Sequence, residues 1–435
     1  MTITRVAVAS LGAKTIDSPI CSGKIADDAR IELSLGPNIF SDLTDYHSYS
    51  FELGGAREKI YFDPDASRCA IVTCGGLCPG LNDIIQSLVW TACHNYGVRS
   101  VIGIRHGLQG FIPDNGLEPM ELDPGKVFQI HELGGSILGT SRGPQPTDVI
   151  VDRLERLNIN MLFIIGGDGT MHAAQDIYHE ITRRGRAISV TGIPKTVDND
   201  INFIPKSFGF ETAVEKASEA IRCAYIEATS VLNGVGLVKL MGRESGFIAA
   251  NASLAIREAD FVLVPEVPFT MEGKHGLLQA LENRLIQNRH AVIVVAEGAG
   301  QDLFQTTNKC DASGNRKLED IAAFMLARFK TYFAERGIPY YPKYFDPGYL
   351  IRATPANTYD RQYCGNLGQN AVHAAFSGRT GMVVARIMDK IVHVPLELVT
   401  ARRRVINPHS DLWRAVMEMT GQGDLNDRES CPGTV

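Results

Sequence analysis

A basic excess, long apolar runs and paired cysteines are all missing from this sequence, and each shortage removes a class of function. The 435-residue chain carries 43 Lys and Arg against 49 Asp and Glu, a net charge of −6. Nucleic-acid recognition needs a basic face, so no nucleic-acid partner is expected. The densest positive patch, Arg402-Arg403-Arg404, reads as a solvated helix end or a contact between subunits. No stretch of about 18 apolar residues occurs, so no membrane span is expected. The opening MTITRVAVASLGAK lacks signal-peptide architecture. The nine cysteines are scattered at 21, 69, 74, 78, 93, 223, 310, 364 and 431, without a CxxC pair or zinc spacing. Their odd number fits free thiols in a reducing compartment, and a cytoplasmic location is expected. Short repeats and low-complexity segments are absent too.

What is present is apolar bulk and glycine. With 44% hydrophobic residues and 42 glycines, the chain can build two or three domains of a loop-rich α/β kind. After about residue 66 the pattern becomes regular. CAIVTCGG (69–76), RSVIGIRHG (99–107), MLFIIGGDGT (161–170) and AISVTGIPKT (187–196) read as strands. LNDIIQSLVWTACHNYG (81–97), VIVDRLERLNIN (149–160) and MHAAQDIYHEITRRG (171–185) carry helical spacing between them. Strictly alternating strands and helices predict a doubly wound parallel sheet. The alternation resumes with strands at 235–242, 261–266 and 291–300, which predicts a second α/β domain. A helix at 366–377 and strands at 381–388 and 390–397 return to the first.

Ligands of such sheets bind beyond the carboxyl ends of the strands, and the glycine-rich segments all sit there. CGGLCPGLN (74–82) allows close backbone approach to an anion, or simply a tight turn. GGDGT (166–170) adds a carboxylate. Asp168 fits Mg²⁺, which takes a few carboxylates with substrate phosphates, while Asp and Thr also suit a capped helix. GTSRG (139–143) puts the forked cation of Arg142 in a flexible loop. GIPKTVDND (192–200) places Lys195, Thr196, Asp198 and Asp200 together. That cluster fits a base with a helper, metal ligands, or a polar turn. In the second domain Met241, Gly242 and Arg243, then Glu297, and finally Tyr349 and Arg352 occupy comparable places.

Taken in order and spacing, CGGLCPGLN, GGDGT, IPKTVDND, KLMGRESGF and AEGAGQ resemble 6-phosphofructokinase over about residues 66–400. The likeness is to the branch with the ATP-dependent plant and trypanosomatid enzymes, related to the pyrophosphate-dependent ones. It implies two Rossmann-like parallel-sheet lobes with the active site in the cleft, plus an N-terminal extension. The expected division is 1–65 extension, 66–209 with 351–397 nucleotide lobe, 210–350 with 398–420 sugar-phosphate lobe, and 421–435 tail. The implied reaction is phosphorylation of fructose 6-phosphate by ATP with Mg²⁺. Asp198 is then the base and Asp168 the magnesium ligand, with Arg142 and Arg243 on the phosphoryl group. Gly76, Arg142, Gly143 and Gly167 to Thr170, including Gly169, form the nucleotide site. Lys195, Thr196, Asp198, Met241, Gly242, Arg243, Glu297, Lys343, Tyr349 and Arg352 form the sugar-phosphate site. Lys343 stands where short bacterial members use an arginine from a neighbouring subunit, implying a homo-oligomer, dimer or tetramer. Where those members have another such arginine this chain has Gly234, and where they bind a nucleotide effector it has Gln86 and Trp90. Pyrophosphate users usually carry GGDD and a lysine at position 195. Gly169 leaves room for an α-phosphate and favours ATP; Lys195 alone would favour pyrophosphate. Lipid and NAD kinases share only GGDGT. A non-catalytic regulatory subunit would tend to lose Asp168, Asp198 or the glycines, all of which are here.

Overall fold

Apolar runs of five to seven residues ending in glycine or proline become fully buried strands, because helices cover both faces of the sheet. The structure is a computed structural model that describes residues 3–35, 47–304 and 317–426; Cys310 and Cys431 lie outside them. The described residues form two units. One runs through Thr212 and takes in Arg352–Arg404; the other runs from Ala213 to Ile351 and resumes at Val405.

In the first unit the strand order is Ile3–Arg5, His47–Leu53, Lys390–Pro395, Met382–Ile387, Ser189–Pro194, Met161–Gly166, Arg68–Thr73, Ser100–Ile104 and Met120–Leu122, with Arg30–Leu35 paired to His47–Leu53. The five central strands, from Met382–Ile387 to Ser100–Ile104, are parallel, and antiparallel pairs flank them. Ala70, Val72, Leu162, Ile164 and Val190 pack with helices Thr147–Arg156 and Asp168–Arg183. The alternate residues point the other way, to the side where helices Leu81–Trp90 and Thr358–Phe376 pair.

Register positions the site. Thr73 pairs with Ile165, and Gly166 pairs with Pro194. The loops opening at Cys74, Gly167 and Lys195 therefore leave one edge of one sheet side by side. Strand order reverses at Arg68–Thr73, whose sequence neighbour Ser100–Ile104 lies on one side and Met161–Gly166 on the other. That is the switch point where doubly wound sheets open a crevice.

The second unit has a four-stranded, all-parallel sheet in the order Phe261–Leu263, His290–Ala296, Gly234–Leu240, Tyr341–Phe345.

Two details depart from the expected organisation. Residues 1–65 read as irregular, yet His47–Leu53 pairs with Lys390–Pro395 and extends the main sheet. Its Glu52 is buried and accepts bonds from Arg57, Arg379 and His393, partners no local pattern announces. Residues 398–404, expected in the sugar-phosphate lobe, belong to the first unit. Arg403 and Arg404 bond to Asp168 and to the 199–205 loop, and this holds the segment there.

Candidate active site

Three of the helices that follow the motif loops begin without a side-chain cap. Leu81–Trp90, Asp168–Arg183 and Phe247–Ile256 start at Gly80, Gly167 and Gly246. Helices Ile321–Glu335, Thr358–Phe376 and Asp411–Thr420, by contrast, are capped by Asp320, Asn357 and Ser410. A glycine start leaves first-turn N–H groups available to an anion. The capping reading of GGDGT therefore does not hold: Asp168 turns to Arg403, and Thr170 packs its side chain back on Gly166. A Cβ at Gly169 would meet nothing within 4 Å, so the space beside it is open.

The first strand-end loop is tied to its neighbours. Gly75 N donates to Ser141 O at 2.9 Å, which seats the Arg142 loop against it. A Cβ at Gly76 would stand 3.3 Å from Arg142 Nη2. Gly143 has φ +90°, a conformation open to glycine at little cost. Lys195 is buried, and its Nζ donates to Gly76 O at 2.5 Å. Burial lowers its pKa, with Arg352 and Arg142 pushing the same way against the nearby thiols. Its amine thus braces the Gly76 loop. Cys74 and Cys78, pushed up to about 12 by burial, are inert packing beside it.

The 196–203 loop is held at every turn. Thr196 Oγ1 donates to Asp200 Oδ1 at 2.9 Å and accepts from Asp198 N at 3.1 Å. Ser207 Oγ donates to Thr196 O at 2.5 Å, and Asn199, at φ +57°, accepts from Ser207 N. Asp200 has a raised pKa because of burial. The Thr196 bond and the Arg403 charge oppose that rise, while the Asp168 charge adds to it. Asp168 and Asp200 are thus electrostatic neighbours.

Sequence reasoning missed the residues that assemble this cluster. Arg403 donates to Asp168 Oδ2 from Nε and Nη2, both at 3.1 Å. Arg404 donates from its backbone to Asp200 O and from Nη1 to Asn199 O and Pro205 O, at 2.8, 3.1 and 3.1 Å. Burial lowers its pKa to about 10, against the Asp200 charge. The arginine run is visible in the sequence as a solvated helix end or a contact between subunits; in the structure Arg402 is exposed, while Arg403 and Arg404 are partly buried against the aspartate loop.

The second unit builds its own cluster. Gly242, at φ +133°, cannot become alanine, because a Cβ would lie 2.4 Å from Ser245 O. Glu297 N donates to Leu240 O and Gly298 N to Gly242 O, both at 2.9 Å, which joins the Glu297 loop to Met241-Gly242-Arg243. Glu266, another residue the sequence did not announce, accepts from Gly246 N and from Ile406 N. A Cβ on Gly348 would come within 3.9 Å of Met241, and the neighbouring Tyr349 is 84% exposed. Lys343 stands apart. It pairs in register with Gly236, four residues before Leu240, or about 13 Å along the strand. There it makes an ion pair with Glu227 at 3.2 Å.

No three His, Cys or carboxylate side chains converge as a ready metal cage among the described residues. Mg²⁺ takes one or two carboxylates and completes its shell with phosphate and water. The all-oxygen set of Asp168 and Asp200, flanked by open space at Gly169, fits that chemistry.

The family model described as Phosphofructokinase matches residues 68–375. The chain is 48% identical to the ATP-dependent 6-phosphofructokinase of Borreliella burgdorferi, covering 87% of this chain and 86% of that protein. It is 48% identical to ATP-dependent 6-phosphofructokinase 5, chloroplastic, of Arabidopsis thaliana, over 85% and 69% of the two chains. The ATP-dependent 6-phosphofructokinase of Trypanosoma brucei brucei is 47% identical over 85% and 76%. Among solved structures, a pyrophosphate-dependent phosphofructokinase from Marinobacter aquaeolei has a TM-score of 0.67 at 20% identity, over 83% and 92% of the chains. At that identity the likeness is one of fold.

Proposed function

The chain belongs to the phosphofructokinase family, and from that premise we propose that it transfers the terminal phosphoryl group of ATP to the 1-hydroxyl of fructose 6-phosphate. Fructose 1,6-bisphosphate and ADP are the products, the committed step of glycolysis. The observation that carries this reading is the side-by-side exit of the Gly76, Asp168 and Asp198 loops from one sheet edge. Its support as an ATP reaction is the 47–48% identity to relatives named for ATP, together with the open space at Gly169.

Phosphoryl transfer depends on positioning and on charge stabilisation. In this reading the donor phosphates lie on the uncapped N–H groups of Asp168 and Gly169, with Gly76, Arg142, Gly143, Gly167 and Thr170 alongside. Asp168, supported by Asp200, would hold Mg²⁺. The metal, when bound, supplies charge neutralisation for the donor phosphates. Asp198 accepts the proton of the attacking hydroxyl, and Thr196 fixes the turn that aims it. Lys195 braces the Gly76 loop, which supports a structural role for it in place of a choice of donor. Arg243 steadies the transferring group. Met241, Gly242, Glu297, Tyr349 and Arg352 take the sugar phosphate. A homo-oligomer, dimer or tetramer, with Lys343 serving a neighbouring copy, and a cytoplasmic location belong to the same reading.

The test is a coupled assay of purified protein with fructose 6-phosphate and each donor in turn. Turnover with ATP and little with pyrophosphate is expected. The reverse result would replace the donor, and no turnover with either would remove the activity.

A further inference from the structure

Asp168 is already engaged by a cation of the chain itself. Arg403 places Nε and Nη2 on the same carboxylate oxygen, both at 3.1 Å. The pair is partly shielded, with side-chain exposures of 33% and 18%. The guanidinium is held there by its backbone. Arg403 bridges to Ile201 in antiparallel fashion, and the next residue, Arg404, locks onto Asp200 O, Asn199 O and Pro205 O. An arginine stays charged at any working pH, so the site always presents one fixed positive charge at the carboxylate that the proposed function gives to Mg²⁺.

That charge acts differently on two visitors. A free divalent cation approaching Asp168 meets a guanidinium on the same oxygen and is repelled. A cation arriving with donor phosphates brings anionic oxygens, and a forked guanidinium binds those bidentately. The open side at Gly169 and the uncapped helix start lie next to Asp168 in the chain.

We propose that Arg403 is a positioning residue that keeps Asp168 in place and closed to free divalent cation, and yields the carboxylate only when donor phosphates arrive to take the guanidinium. This rests on the assignment of Asp168 to the metal.

The test measures Mn²⁺ binding to the full chain by electron paramagnetic resonance, with and without ADP, in wild type, R403Q, R403K and D168N. R403Q should bind free Mn²⁺ at least tenfold more tightly than wild type and Mn²⁺–ADP at least tenfold more weakly. R403K keeps the charge and loses the fork, so free Mn²⁺ should stay weak while Mn²⁺–ADP weakens several-fold. Thermal unfolding identifies any variant that fails to fold; if R403Q is lost, R403K carries the test through its Mn²⁺–ADP affinity. Unchanged free-Mn²⁺ affinity in R403Q, or wild-type Mn²⁺–ADP affinity in a folded R403K, overturns the proposal. Wild-type Mn²⁺–ADP binding by D168N would instead overturn the metal assignment on which it rests.

Discussion

Asp198 has its backbone N–H held by Thr196 Oγ1, in a loop where Asn199, Ser207 and Arg404 fix the following turns. Such restraint suits a base that must meet one hydroxyl in one orientation. Asp198→Asn keeps the shape and removes the carboxylate proposed as proton acceptor. General-base catalysis contributes on the order of 10²–10⁴, so kcat should fall by about that factor while KM for ATP stays near wild type in steady-state assays. A variant with near-normal kcat would move the base elsewhere. At this scale the sequence displayed the candidate residues and hid what holds them. Asp168, Asp198 and Arg243 stood out in glycine-rich strand ends. Arg403 and Glu266 did not, because Asp168 lies 235 residues from Arg403, and Glu266 ties together Gly246 and Ile406 from two separate segments.

Elements that bury themselves on local apolar content were legible; elements defined by a partner strand were not. CAIVT and MLFIIG announced central strands because both faces are covered, which demands a continuous apolar run. HSYSFEL, with its buried Glu52, broke that pattern and still entered the sheet. YPKYF escaped notice because Pro342 argues against a strand, and the structure gives it the edge position where proline is tolerated. The helix Asp168–Arg183 yields a prediction of its own. A side chain at Gly169 would enter open space in the first turn, where an acidic residue is compatible with the helix dipole. Gly169→Asp should therefore fold with an unchanged unfolding temperature, while repulsion raises KM for ATP by tenfold or more. Unaltered ATP kinetics in the folded variant would count against the steric and electrostatic reading of the donor site.

For the whole molecule, buried ionisable groups set the pH limits. His373, at the end of helix Thr358–Phe376, takes a bond from Tyr96 OH at 2.8 Å. Burial, aided by the Arg57 charge, lowers its pKa from 6.5 to about 4. A depressed base favours its neutral form in the fold. Its stabilisation, about 3 kcal/mol by proton linkage, is complete above 6.5 and is lost as pH falls toward 4. Glu52 acts lower. Burial would raise it, but His393 and Arg379 hold it at about 2, so its contribution is present above 4.5 and is lost below that. His373→Gln should flatten the fall of the unfolding midpoint between pH 6.5 and 4; parallel curves for variant and wild type would rule His373 out as the source. Sequence by itself determined the parallel-sheet class, the order of the motifs and the kind of chemistry they carry, because apolar runs and glycine-flanked charges are local properties of the chain. Only the tertiary structure decided that Lys195 is a buried brace, that the N-terminal segment completes the main sheet, and that Arg403 and Arg404 belong to the aspartate cluster. Each of those depends on which distant groups share a buried, poorly screened space, where a charge must find its partner.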